Sequence, residues 1–122
     1  RPVAGARVRV EHPDGWEGVR RANHELAVAA RERLLELLQI APPVPETMLG
    51  SMAAVPLPAS VASPDSILDP LMTTLRRKYA IEVPVFVWPA APQRTLRVSA
   101  HRYNVMADYE RLVDALRIEL RL

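Results

Sequence analysis

Thr95-Leu96-Arg97-Val98-Ser99-Ala100 is the stretch from which the rest of the chain is read. Its β-branched and aliphatic residues favour an extended backbone and predict a strand. Upstream, Ile81-Glu82-Val83-Pro84-Val85-Phe86-Val87-Trp88 reads as a second strand, and Pro84 inside it argues for an edge position or a bulge. Pro89 and Pro92 mark the turn between the two runs, which makes them a hairpin or close neighbours. A further strand is expected over 50–55, closed by Pro56 and Pro58. Within the 95–100 strand, Arg97 lies between Leu96 and Val98. An arginine so placed either points to solvent, which the alternation favours, or presents its planar fork to an anion such as a carboxylate.

Helical patterns surround these strands. Asp14 with Glu17 three residues on has the form of a capping box, and a helix is expected from Gly15 to Leu38. Trp16, Val19, Leu26, Ala30, Leu34, Leu37 and Leu38 approximate its apolar stripe. Ala41-Pro42-Pro43-Val44-Pro45 stops it. Residues 58–64 read as a loop, and Asp65 or Ser66 is a candidate cap for a second helix. Pro70 is tolerated only in a first turn, which places the main helix from Asp69 to about Tyr79, with Leu71, Leu75 and Tyr79 inward. A last helix is expected from Met106 or Ala107 to Leu120, with Asp108 suiting its dipole and Tyr109, Leu112, Val113 and Leu116 buried. The order helix, strand, helix, strand, strand, helix implies an α/β chain of the α+β two-layer sandwich type. Its sheet has about three mainly antiparallel strands with helices on one face.

The 122 residues suffice for one modest core, and 49% apolar with 25% charged residues excludes wholesale disorder. No apolar run reaches the length of a spanning helix. The absence of cysteine excludes a disulfide scaffold, a thiolate metal site and a cysteine nucleophile within the chain. The formal charge is only +2, and Arg31, Arg33, Arg76 and Arg77 are separated or interleaved with acids such as Glu32 and Glu36. That pattern reads as a solvated mixed-sign surface rather than a nucleic-acid footprint. Arg1 in place of Met, with no signal-like segment, leads us to expect a piece of a longer polypeptide. Residues 1–13, with a possible short strand over Ala6–Val10, then form a leading segment from a large domain, and 14–122 form one domain.

Few residues carry chemistry alone. Lys78 is the only lysine, and it follows Arg76 and Arg77 at a helix end, where cations suit the dipole and solvent. His12, His24 and His101 sit in different elements with no serine elbow and no zinc-binding spacing. Gly5, Gly15, Gly18 and Gly50 form no phosphate loop.

Four segments carry a family likeness: Gly50 to Pro58, Ile81-Glu82-Val83-Pro84-Val85, Leu96-Arg97-Val98-Ser99-Ala100-His101-Arg102-Tyr103-Asn104, and Asp108-Tyr109-Glu110-Arg111-Leu112. With Asn23-His24-Glu25-Leu26-Ala27, they resemble the C-terminal small domain of class V aminotransferase-fold enzymes. These are fold type I enzymes that use pyridoxal 5′-phosphate, and the isopenicillin N epimerase-like branch is the most similar. The resemblance implies that Arg97 holds the α-carboxylate of an amino-acid substrate and that Asn104 shapes the strand-to-helix connection. His101 and Arg102 sit at variable positions and are treated as exposed. It further implies a cytoplasmic homodimer whose Schiff-base lysine and cofactor ligands lie in its own large domain, so that this chain alone is inert. The segment before Arg97 lacks the reactive cysteine of related desulfurases, which argues against thiolate chemistry of that type. Two other readings stay open: a free-standing non-catalytic interaction module, and, from the arginine content, a nucleic-acid binder.

Overall fold

The computed structural model describes residues 15–59, 69–101 and 103–122. The readings made on 1–13, on Asp14, Asp65 and Ser66 as caps, and on Arg102 lie outside the described residues. The elements run α1 (Gly15–Leu38), a 3-10 turn (Glu46–Met48), β1 (Met52–Leu57), α2 (Pro70–Tyr79), β2 (Val85–Val87), β3 (Arg94–Ser99) and α3 (Met106–Glu119). The strands form one antiparallel sheet in the order β1-β3-β2, so β2 and β3 are the expected hairpin.

Strand alternation sorts the side chains onto two faces. Ala53, Val55 and Leu57 of β1, Val85 of β2, and Leu96 and Val98 of β3 are buried. They join one core with Leu34 and Leu35 of α1, Leu71 and Leu75 of α2, and Leu112, Val113 and Leu116 of α3. Each large aliphatic side chain buried there contributes about 1.5–3 kcal/mol. The helices therefore cover one face, as expected. The other face carries Met52, Ala54, Pro56, Phe86 and Arg97, all exposed. Thr95 is buried on that face between Pro56 and Phe86, its partners in register.

Four expectations need correction. The first strand lies at 52–57 rather than 50–55, with Pro56 inside it. The Ala100 N–H donates to the Ser51 carbonyl at 2.7 Å, so odd-numbered residues of β1 exchange hydrogen bonds with β3. Pro56 faces the outer edge of the sheet, where β3 asks no donor of it. The second strand shrinks from 81–88 to 85–87. The Arg97 N–H donates to the Pro84 carbonyl at 3.1 Å, and Pro84 has no N–H to return, so the ladder ends there.

On α1 the buried residues are Val19, Ala27, Ala30, Arg31, Leu34 and Leu35, while Trp16 is 54% exposed and Leu37 and Leu38 are only half-buried. The helix is about 36 Å long against about 20 Å for a six-residue strand, so its first turn overhangs the sheet. Arg31, expected in solvent, is 4% exposed. Its Nη1 donates to the Val44 carbonyl at 2.6 Å, and His24 Nδ1 lies 3.2 Å from the Gly50 carbonyl two turns earlier on the helix. Together they hold the proline-rich return segment along α1.

One clamp was not singled out in the sequence. Asp69 caps α2 by accepting the Leu71 N–H at 2.9 Å, and Pro70 occupies the first turn. Arg94 Nη1 reaches both carboxylate oxygens of Asp69, at 2.9 and 3.1 Å, and its Nε donates to the Pro58 carbonyl at 2.9 Å. Both side chains are 10% exposed. The clamp joins the start of β3, the end of β1 and the start of α2. Removing one partner of so buried a pair strands the other, at a cost of about 3–5 kcal/mol. Arg94→Met is expected to lower the unfolding free energy by that amount, read as a lower urea midpoint at constant m-value. A loss below about 1 kcal/mol, the range of exposed pairs, would remove the clamp from the account of stability.

Candidate functional site

Arg97 stands at the middle of the central strand. Its cross-strand neighbours on the open face are Ala54 in β1 and Pro84, whose carbonyl takes its N–H. Both are short, and neither covers the guanidinium. Among the described residues no carboxylate or carbonyl engages that guanidinium. It lines a cleft of about 570 Å³ with the 80–84 segment, the end of β3, the 101–104 loop and the first turns of α3. The cleft follows from Pro84: where β2 stops pairing, the side of β3 is no longer covered by a strand.

The connection from β3 to α3 is closed by side chains. Asn104 Oδ1 accepts the His101 N–H at 3.0 Å, while the Asn104 N–H donates to the His101 carbonyl at 2.8 Å. Asn104 Nδ2 donates to Asp108 Oδ2 at 3.4 Å, and the same oxygen accepts the Val105 N–H at 3.0 Å. The Tyr109 hydroxyl donates to the Ser99 carbonyl at 2.8 Å. Asn104 thus shapes the connection, and Asp108 does more than suit the helix dipole, because it receives one of the first free N–H groups of α3. The tyrosine tie was not anticipated; its only sequence signal is a hydroxyl on the buried stripe of α3, where a polar tip needs a partner.

These contacts tune charge. The Val105 N–H, then Asn104, hold the Asp108 carboxyl below the usual carboxylate range. Hydrogen bonding to Arg33 does the same for Glu110, which meets Arg33 across α1 and α3 at 2.7 and 3.1 Å. Burial, then the Asp108 charge, pushes the Tyr109 phenol up.

Lys78 lies elsewhere. Its Nζ is 3.3 Å from Glu119, whose Oε2 also accepts the Tyr79 hydroxyl at 3.0 Å, and Glu119 pushes the ammonium pKa up. Lys78 does not line the Arg97 cleft. Among the described residues no cluster of His, Asp and Glu is arranged to hold a metal, and no helix is long and apolar enough to cross a membrane. His101 is exposed at the cleft, and His24 lies on α1.

A depressed carboxylate stabilises the fold fully above its unfolded pKa and loses that contribution as pH falls through its folded value. The urea midpoint is therefore expected to hold between about pH 7 and 5 and to fall below about pH 4. Asp108→Asn, which keeps an oxygen for Val105, should flatten part of that fall. An unchanged acid limb would show that Asp108 carries none of it.

No protein-family profile matches the chain. Among curated proteins, 84% of the chain aligns with a probable chloroplastic L-cysteine desulfhydrase of Arabidopsis thaliana, at 33% identity over 110 residues. The same share aligns with putative L-cysteine desulfhydrase 1 of Oryza sativa subsp. japonica at 31% identity, and with isopenicillin N epimerase of Amycolatopsis lactamdurans at 37%. These alignments cover 23%, 24% and 25% of the three relatives, so the chain spans about a quarter of their length.

Proposed function

We propose that the chain, 31–37% identical over 84% of its length to proteins named as L-cysteine desulfhydrases and isopenicillin N epimerase, is the C-terminal small domain of a pyridoxal-phosphate enzyme of the class V aminotransferase family acting on an amino-acid substrate. The observation that supports this reading is the uncommitted guanidinium of Arg97, held on the central strand at the edge of a cleft. A guanidinium fork binds a carboxylate through two parallel hydrogen bonds. Two bonds fix rotation as well as position, and that orientation is what a reaction at the neighbouring carbon requires.

Pyridoxal phosphate, when bound, serves as the electron sink for that carbon. Lys78, the only lysine of the chain, lies outside the lining of the Arg97 cleft. The family resemblance assigns the Schiff-base lysine and the cofactor's ligands to a large domain of the intact enzyme. The role left to this chain is to hold the carboxylate through Arg97 and to wall the site from water with the 80–84 and 101–104 segments. A cytoplasmic homodimer belongs to the same proposal. The relatives' names span desulfhydration and epimerisation, so the proposal stays at the amino-acid substrate and leaves the reaction open.

A second reading, a non-catalytic interaction module, draws support from the open sheet face with its exposed Met52 and Phe86. The two readings part at Arg97. In the intact enzyme, Arg97→Ala is expected to lower kcat/KM about 10- to 150-fold, the equivalent of about 1.5–3 kcal/mol for a hydrogen bond to a charged group. Arg97→Lys should recover only part of it. Unchanged kinetics in the alanine variant would defeat the carboxylate assignment.

A further inference from the structure

The His101 and Tyr103 rings stack with centroids 5.3 Å apart and planes 22° from parallel. Both line the same cleft as Arg97, and Tyr103 is 77% exposed. A ring pair that exposed gains little from burial, yet the loop beneath it is closed by the hydrogen bonds of Asn104, Asp108 and Tyr109. Asn104 and its partners are thus tied by hydrogen bonds while the two ring faces stay uncovered beside the Arg97 guanidinium, which no described residue engages.

We propose that the His101–Tyr103 pair is the wall against which the substrate's side chain packs, and that Asn104 is the positioning residue that holds this wall in the Arg97 cleft. The proposal rests on the reading of Arg97 as the carboxylate site. With the carboxylate fixed there, the side chain extends along a surface that offers ring faces. Such faces favour an aromatic or sulfur-bearing side chain. Glu82 and Asp108 line the same cleft and disfavour an acidic one. Arg111 also lines it, but its Nη2 is directed to the Tyr79 carbonyl at 2.9 Å.

The test uses the intact enzyme and carboxylate probes that lack an amine: propanoate, 3-phenylpropanoate and 4-(methylthio)butanoate, titrated by calorimetry. The native protein should bind the two larger probes about ten-fold or more tightly than propanoate. Tyr103→Ala should abolish that preference, while Tyr103→Phe should keep it. Asn104→Ala should weaken the preference as well, because the rings lose their support. Absence of a preference in the native protein, or its survival in Tyr103→Ala, overturns the wall. A preference kept in Asn104→Ala while Tm falls reduces Asn104 to a stabilising residue and overturns its positioning role. Arg97→Ala should weaken all three probes alike. If it leaves propanoate unchanged, the carboxylate reading itself fails, an outcome separate from failure of the wall.

Discussion

β3 is the only strand among those described that is hydrogen-bonded on both sides, and its alternation fixes the two faces of the molecule. Leu96 and Val98 are almost fully buried against the helices, and nothing about their position is free to change. Arg97, between them, is then forced onto the opposite face by the pleat alone. A one-residue slip of register would drive a charged side chain into the core and turn two aliphatic ones out, so the burial of the neighbours holds the arginine where it stands. The Arg94–Asp69 clamp at one end of β3 and the Tyr109–Ser99 bond at the other secure the same strand along its length.

Much of this was legible in the sequence where one physical signal acted without competition. Helix α1 matched its expected span from Gly15 to Leu38, closed by Gln39 at φ 55 and by the Ile40 N–H on the Leu35 carbonyl just ahead of the prolines, and α2 began behind Asp69 because Pro70 fits only a first turn. The alternation around Arg97 gave its face correctly. The errors came where a local rule met tertiary geometry. Pro56 was read as a strand terminator, although on the outer side of an edge strand it interrupts nothing. Pro84 was recognised as an edge signal, but its cost depends on register, and register is not visible in one strand. Periodicity says which residues share a face of a helix and not how far that helix outruns the sheet, so it misplaces Trp16; charge patterning misplaces Arg31 because it does not show that the return segment brings the Val44 carbonyl to it.

The candidate site was legible to a different degree. Arg97 and Asn104 came from a resemblance and not from spacing, and the structure supplies what the residues alone could not: short neighbours at Ala54 and Pro84, and a loop tied down by Asn104 and Asp108. The relatives align with this chain over about a quarter of their own length, and the amino-acid substrate belongs to the proposal. What the chain itself places at the cleft is an arginine on the central strand, with the other walls taken from the two segments that flank it.

Pro56 has a bearing beyond the shape of β1. An edge strand offers its outward N–H groups to any extended chain that passes, and in β1 the outward row is Met52, Ala54 and then position 56. Proline removes the last donor of that row and places a ring in the path of an arriving strand. The same residue that leaves the internal ladder intact thus makes the sheet a poor template for growth. Among the described residues β1 and β2 are the two edges of the sheet, and β2 is only three residues long, so the proline stands on the longer of them.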